Sequence, residues 1–173
     1  MGVTKALIEK YYHPCYIETG SAGGDGIMTA VEAGCVQIIG IELAEFLYER
    51  SSKRITDEMK SKVSILNGKS EDKLNDVLTH CDRTKARAII FLDAHKVGTV
   101  PGKETYPLLT ELRIIAKHHI KNHTIMIDDV RLFGKELDPY MFVVNEVMKI
   151  NHQYKIVFED SNTNEKDVLV AYI

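Results

Sequence analysis

The chain has 173 residues, 45% hydrophobic and 27% charged, the balance of an ordinary globular domain with a substantial core. A net charge of −3 and a pI near 6.2 give no bulk field for binding nucleic acid, although a local basic patch would still suffice. No apolar run reaches signal-peptide or membrane-spanning length, and the three cysteines, Cys15, Cys35 and Cys81, form no CxxC pair, so a single domain over 1–173 with reduced thiols and a cytoplasmic location is expected.

Leu7, Ile8, Tyr11 and Tyr12 share one helical face, which predicts a short leading helix within 1–13. An apolar strand follows at Cys15–Thr19, then a glycine-rich turn, Gly20-Ser21-Ala22-Gly23-Gly24-Asp25-Gly26. The next helix runs from about Gly26 to Ala33 and stops at Gly34. A second strand spans Val36–Glu42, and a second helix reaches from Ala44 to Met59 with Leu47, Ile55 and Met59 facing inward. Val63–Leu66 reads as a strand and Glu71–Leu78 as a helix.

Ala88–Leu92 is the clearest buried strand. A stretch rich in turn residues, Ala94 to about Thr105, precedes a helix carrying Leu108, Leu109, Leu112, Ile115 and Ala116. Thr124–Ile127 is the fifth strand, and a helix lies between Pro139 and Lys149. Tyr154–Phe158 and Val168–Ile173 form a strand pair across a polar turn. Alternating apolar strands and helices predict a Rossmann-like, three-layer α/β sandwich: a seven-stranded, mostly parallel sheet closed by a C-terminal antiparallel hairpin.

Ligands of open α/β sheets bind outside the carboxyl ends of the strands. Four strands here end in acids at that edge: Glu18, Glu42, Asp93, and Asp128 with Asp129. One such acid would serve as a turn or helix cap, but several together repel unless a cation compensates. The first turn, Gly20-x-x-Gly23-Gly24-x-Gly26, departs from the G-x-G-x-x-G spacing of a dinucleotide site. Glu18 would also meet a pyrophosphate as an unwelcome charge. A ligand with an ammonium and a sulfonium suits it better, and S-adenosylmethionine carries both. Its ribose would fall to Glu42, about 22 residues beyond Gly20.

These segments resemble the class I S-adenosylmethionine-dependent methyltransferases, most nearly the catechol O-methyltransferase-like branch. Glu18-Thr19-Gly20-Ser21-Ala22-Gly23-Gly24 resembles that family's cofactor loop, and Ile39-Gly40-Ile41-Glu42 its ribose-binding acid. Gly68-Lys69-Ser70-Glu71 resembles its adenine turn, with Glu71 in place of a glutamine. Phe91-Leu92-Asp93-Ala94-His95-Lys96 and Ile127-Asp128-Asp129 resemble its two metal-site segments, where Asp-Asp stands for an Asp-Asn pair. The resemblance implies cofactor contacts at Glu18, Thr19, Gly20, Ser21, Gly24, Glu42, Leu43, Ser70 and Asp93. It also implies Mg2+ at Asp93, Asp128 and Asp129, and a general base at Lys96, with His95 as the other candidate. The implied reaction is methyl transfer, most readily to an oxygen of an unidentified small or larger acceptor.

Each residue also has an ordinary structural role open to it. Asp93 would cap the next turn, Asp128 and Asp129 a following helix, and Lys96 would be a solvated loop lysine. His118, His119, His123 and His152 show no ligand spacing with the acids, and Arg131 would pair with the acids or hold an anionic substrate. Only about fourteen residues precede the first strand, fewer than the catechol-type enzymes carry. The loop 94–105, a second subunit of a homo-oligomer, or a large acceptor would then complete the pocket. Two other functions stay open: a nicotinamide-dependent oxidoreductase, and a non-catalytic module that binds S-adenosylmethionine or a protein partner.

Overall fold

Seven strands form one sheet in the computed structural model, which describes residues 2–84, 86–94, 107–132 and 139–173. The strands are β1 (Cys15–Thr19), β2 (Gln37–Glu42), β3 (Val63–Asn67), β4 (Ala88–Leu92), β5 (Thr124–Ile127), β6 (Lys155–Glu159) and β7 (Val168–Tyr172). Their spatial order is β3-β2-β1-β4-β5-β7-β6, parallel from β3 to β5, with β7 antiparallel to both β5 and β6. The expected sandwich and terminal hairpin are present. The order steps outward from β1 in both directions, so the chain reverses between β1 and β4, where such sheets open a ligand crevice.

Helices α1 (Lys5–Lys10) and α2 (Asp25–Glu32) cover one face, and α4 (Ser70–Thr84), α5 (Pro107–Lys117) and α6 (Pro139–Ile150) the other; α3 (Glu45–Ser52) follows β2. Tyr16, Ile38, Ile89, Phe91 and Met126 pack with Leu7, Ile8, Ile27 and Ala30 on the first face. Ile17, Ile41, Ile90 and Ile127 pack with Leu74, Leu78, Leu112, Ile115 and Val147 on the second. Strands flanked by helices on both sides bury both of their faces, which is why β1 and β4 are apolar and buried along their lengths.

Two helix boundaries depart from the sequence expectation. The second helix stops at Ser52 rather than Met59. Ser51 turns its hydroxyl back onto the Tyr48 carbonyl, and Arg54 reaches across to the Gly23 carbonyl and Asp25, so the chain leaves the helical path. Ile55 and Met59 still pack on the core, from turns rather than a helix. Conversely, α4 continues to Thr84, six residues past its last apolar face residue, Leu78, because a polar helical extension leaves no apolar periodicity to read. Val36, expected in β2, lies just before it and is exposed. No described helix is long and apolar enough to cross a membrane.

Candidate functional site

Backbone hydrogen bonds carry the parallel ladder one step beyond the strands. Gly20 and Ser21 donate N–H to the Ile41 carbonyl, Asp93 to the Thr19 carbonyl, Asp128 to the Leu92 carbonyl and Gly68 to the Glu42 carbonyl. Gly20, Glu42, Asp93 and Asp128 therefore stand level along the carboxyl edge. Side chains alternate between faces of a strand, and Tyr16, Ile38 and Ile89 are aligned neighbours, as are Phe91 and Met126. Counting on in twos from these residues places Glu18, Glu42, Asp93 and Asp128 all on the α2 face of the sheet. The four acids fall in one crevice because their strands are in register.

Glu18, Glu42, Asp128 and Asp129 are buried. Burial, with the fields of Asp128 and other acids, pushes the Glu18 carboxyl up to about 8. Burial together with Asp128, Glu18 and Asp129 pushes Asp93 up to about 9. Oε2 of Glu18 is buried without a hydrogen-bond partner. A side chain at Gly26 would overlap the Glu18 carboxylate, so the absence of a Cβ there is what lets the acid lie against the start of α2. Gly20, at φ 72°, presses on the Asp93 carbonyl, and a Cβ there would collide with it.

Glu42 is held differently. Its Oε2 accepts the Ala22 N–H and its Oε1 the Ala44 N–H, both at 2.7 Å. Each oxygen keeps a second lone pair, so the brace orients the carboxylate without exhausting it. Asn67, which the sequence reading passed over, donates from Nδ2 to the Glu42 carbonyl at 3.1 Å and ties the end of β3 to that acid. Leu43 is 53% exposed beside Glu42, an apolar surface at the mouth of the crevice. Thr19 and Ser21 are buried with hydroxyls that have no partner, Gly24 precedes α2, and Ser70 is the buried first residue of α4.

The acids at the end of β5 gather a different third member from the one expected. Carboxylate oxygens of Asp128, Asp129 and Asp167 all lie within 4.8 Å of one another. Asp167 was not anticipated, because only the antiparallel pairing of β7 with β5 brings the start of β7 beside the end of β5. Arg131 forms ion pairs with Asp129 and Asp167. Asp129 adopts φ 54°, and a short 3-10 turn, Val130–Leu132, follows it. His95 and Lys96 lie outside the described residues. His118 and His123 are buried at the amino edge, away from the acids.

No family model and no curated protein matches this sequence. Solved structures do match in three dimensions. A Bacillus cereus O-methyltransferase in complex with S-adenosylhomocysteine superposes with a TM-score of 0.62 at 14% identity, over 98% of this chain and 78% of that one. The Streptomyces achromogenes O-methyltransferase TomG, in complex with S-adenosylmethionine, gives 0.65 at 16% identity, over 98% and 77%. Human methyltransferase-like protein 13, in complex with S-adenosylhomocysteine, gives 0.64 at 11% identity, over 98% and 76%. The chain has the class I methyltransferase fold. In this methyltransferase fold, the crevice lined by Glu18, Glu42 and the glycine turn opens at the carboxyl edge where the strand order reverses.

Proposed function

We propose that this chain binds S-adenosylmethionine in the carboxyl-edge crevice lined by Glu18, Glu42 and the glycine turn and transfers its methyl group to an oxygen of an acceptor. The observation that carries the reading is Glu18: a buried carboxylate with an unpartnered oxygen, beneath a glycine turn, in a methyltransferase fold. Such a group calls for a cation, and a dinucleotide pyrophosphate would bring the opposite charge. S-adenosylmethionine fits, having an ammonium for Glu18 and ribose hydroxyls for the free lone pairs of the braced Glu42. When bound, it supplies an electrophilic methyl on a sulfonium.

The chain's own residues would do the rest. Thr19, Gly20, Ser21 and Gly24 would line the amino-acid end, Leu43 and Ser70 the adenine end, and Asp93 the edge facing the acceptor. His95 and Lys96, just after Asp93, are the residues we assign to removal of the acceptor proton. Rate would come chiefly from alignment of donor and acceptor, which the shared register of β1, β4 and β5 would supply.

The acid set also suits a hard divalent cation in its donor chemistry. Asp128 and Asp129 would hold it, with Asp167 better gathered than Asp93 as their partner. Magnesium there would orient an acceptor hydroxyl and lower its pKa. Arg131 already neutralises Asp129 and Asp167, so a divalent ion must compete with a guanidinium. Magnesium is therefore expected to bind more tightly to Arg131→Ala than to the native chain in calorimetric titration, and not to Asp128→Asn in either background. Equal affinity with and without Arg131 would remove the competition.

The deciding experiment for the function is calorimetric titration with S-adenosylmethionine, S-adenosylhomocysteine and NAD. Saturable binding of both adenosyl ligands, lost in Glu42→Ala, is the expected result, and binding of NAD alone would overturn the reading. An acceptor screen then separates an enzyme from a binding module.

A further inference from the structure

One buried acid among the described residues lies apart from the crevice and its acid cluster. Glu111, on α5, is wholly buried, on the opposite face of the sheet from Glu18 and Glu42. No cation among the described residues neutralises it. Burial, with the nearby Glu71, disfavours its charged form, while the Ser70 and Thr19 hydroxyls beside the carboxyl favour it. Neither contact closes into a full hydrogen bond: both Glu111 oxygens and the Thr19 hydroxyl are buried without one. A lone carboxyl in an apolar helix–sheet interface is destabilising where a leucine or methionine would pack without penalty. Its neighbours give it a purpose. Thr19 is the last residue of β1, directly before the glycine turn, and Ser70 is the first residue of α4, at the adenine-side turn.

We propose that Glu111 is a positioning residue that links Ser70 to Thr19 from behind the sheet and so fixes the spacing between the two walls of the cofactor crevice. This rests on the S-adenosylmethionine reading of that crevice. Full hydrogen bonds from the two hydroxyls to the carboxyl would hold that spacing. The part played by Glu111 is polar and directional. Glutamine can take it over by accepting from one hydroxyl and donating to the other, whereas leucine cannot.

The test compares the native chain with Glu111→Gln and Glu111→Leu in two readouts, melting temperature and calorimetric affinity for S-adenosylhomocysteine. Glu111→Leu is expected to melt at the same or a higher temperature yet bind at least fivefold more weakly. Glu111→Gln is expected to bind within twofold of the native chain. A purely structural carboxyl would instead move melting temperature and affinity together. Native affinity in Glu111→Leu, or equal losses in the two variants, would overturn the proposal. If the native chain binds no adenosyl ligand, the cofactor reading fails by itself. Backbone amide exchange around residues 19–23 and 70–74 then judges the link alone: faster exchange in Glu111→Leu than in Glu111→Gln supports it, and identical exchange refutes it.

Discussion

The two ends of this one sheet treat buried polar groups in opposite ways. At the amino edge they meet each other. His13 Nε2 bonds with Thr124 Oγ1 at 3.1 Å, the Ala88 N–H donates to His123 Nδ1 at 3.0 Å, and Tyr154 donates its hydroxyl to the His123 carbonyl at 2.8 Å. Arg87 closes the same end by donating to the Asn122 carbonyl at 2.8 Å. At the carboxyl edge, burial together with Asp128 and other neighbouring acids raises the proton affinity of Glu18 and Asp93. Glu111 sits behind them with no cation beside it among the described residues. The first arrangement stabilises the fold. The second sets acids side by side at a cost in stability, the pattern that functional sites show.

That contrast breaks if replacing carboxyl-edge acids destabilises the chain as amino-edge changes do. The largest expected effect is on stability at Glu111. Its carboxyl is raised from 4.5 to about 7, so between those pH values the unfolded chain has lost a proton that the folded chain keeps. Native stability should therefore fall as pH rises through this window and level off above it. Glu111→Gln removes that fall and is expected to be more stable at pH 8 by up to about 3 kcal/mol, read from urea melts at pH 5 and pH 8. A native profile that is flat relative to the variant would contradict the assignment.

The next effect is on binding. Glu42→Ala removes a charged acceptor that is already aimed by two backbone donors. Affinity for S-adenosylhomocysteine should drop by about 10- to 100-fold, the worth of hydrogen bonds to a charged group. A loss below twofold would move the ribose away from Glu42.

Smaller at pH 7, about tenfold, is the pH dependence of binding through Glu18. With its carboxyl pushed up to about 8, Glu18 must give up a proton to face an ammonium at pH 7. Affinity should climb by about tenfold per pH unit up to about pH 8 and then level, and Glu18→Gln should flatten that climb. Proton release, measured by titration in buffers of different ionisation enthalpy, gives an independent check. An unchanged slope in the variant would place the titration elsewhere.

The smallest effect sharpens the comparison from the other end. Tyr154→Phe deletes one buried hydrogen bond at the amino edge and should lower stability by about 1 kcal/mol. Its affinity for S-adenosylhomocysteine should match the native value. A change in affinity would mean that the two edges are coupled.

What was legible in the sequence follows from what local pattern encodes. Ala88–Leu92 and Thr124–Ile127 match their strands residue for residue, because a short apolar run bounded by polar residues has few other ways to bury itself. The terminal acids Glu18, Glu42, Asp93 and Asp128 were legible for the same reason: each marks where an apolar run stops. Helix ends were less so. Ser51 and Arg54 ended α3 through hydrogen bonds that no periodicity records.

The tertiary structure alone decided who stands beside whom. Strand register put four acids on one face of one crevice, and the antiparallel return of β7 brought Asp167 to Asp128 and Asp129. The packing of α5 set Glu111 behind Thr19 and Ser70, although in sequence it reads only as a charge on an amphipathic helix. The sequence determined the elements and the chemical groups at their ends, since both depend on neighbours a few residues away. Partnerships between groups far apart in the sequence depend on register and crossover, which exist only once the sheet is assembled.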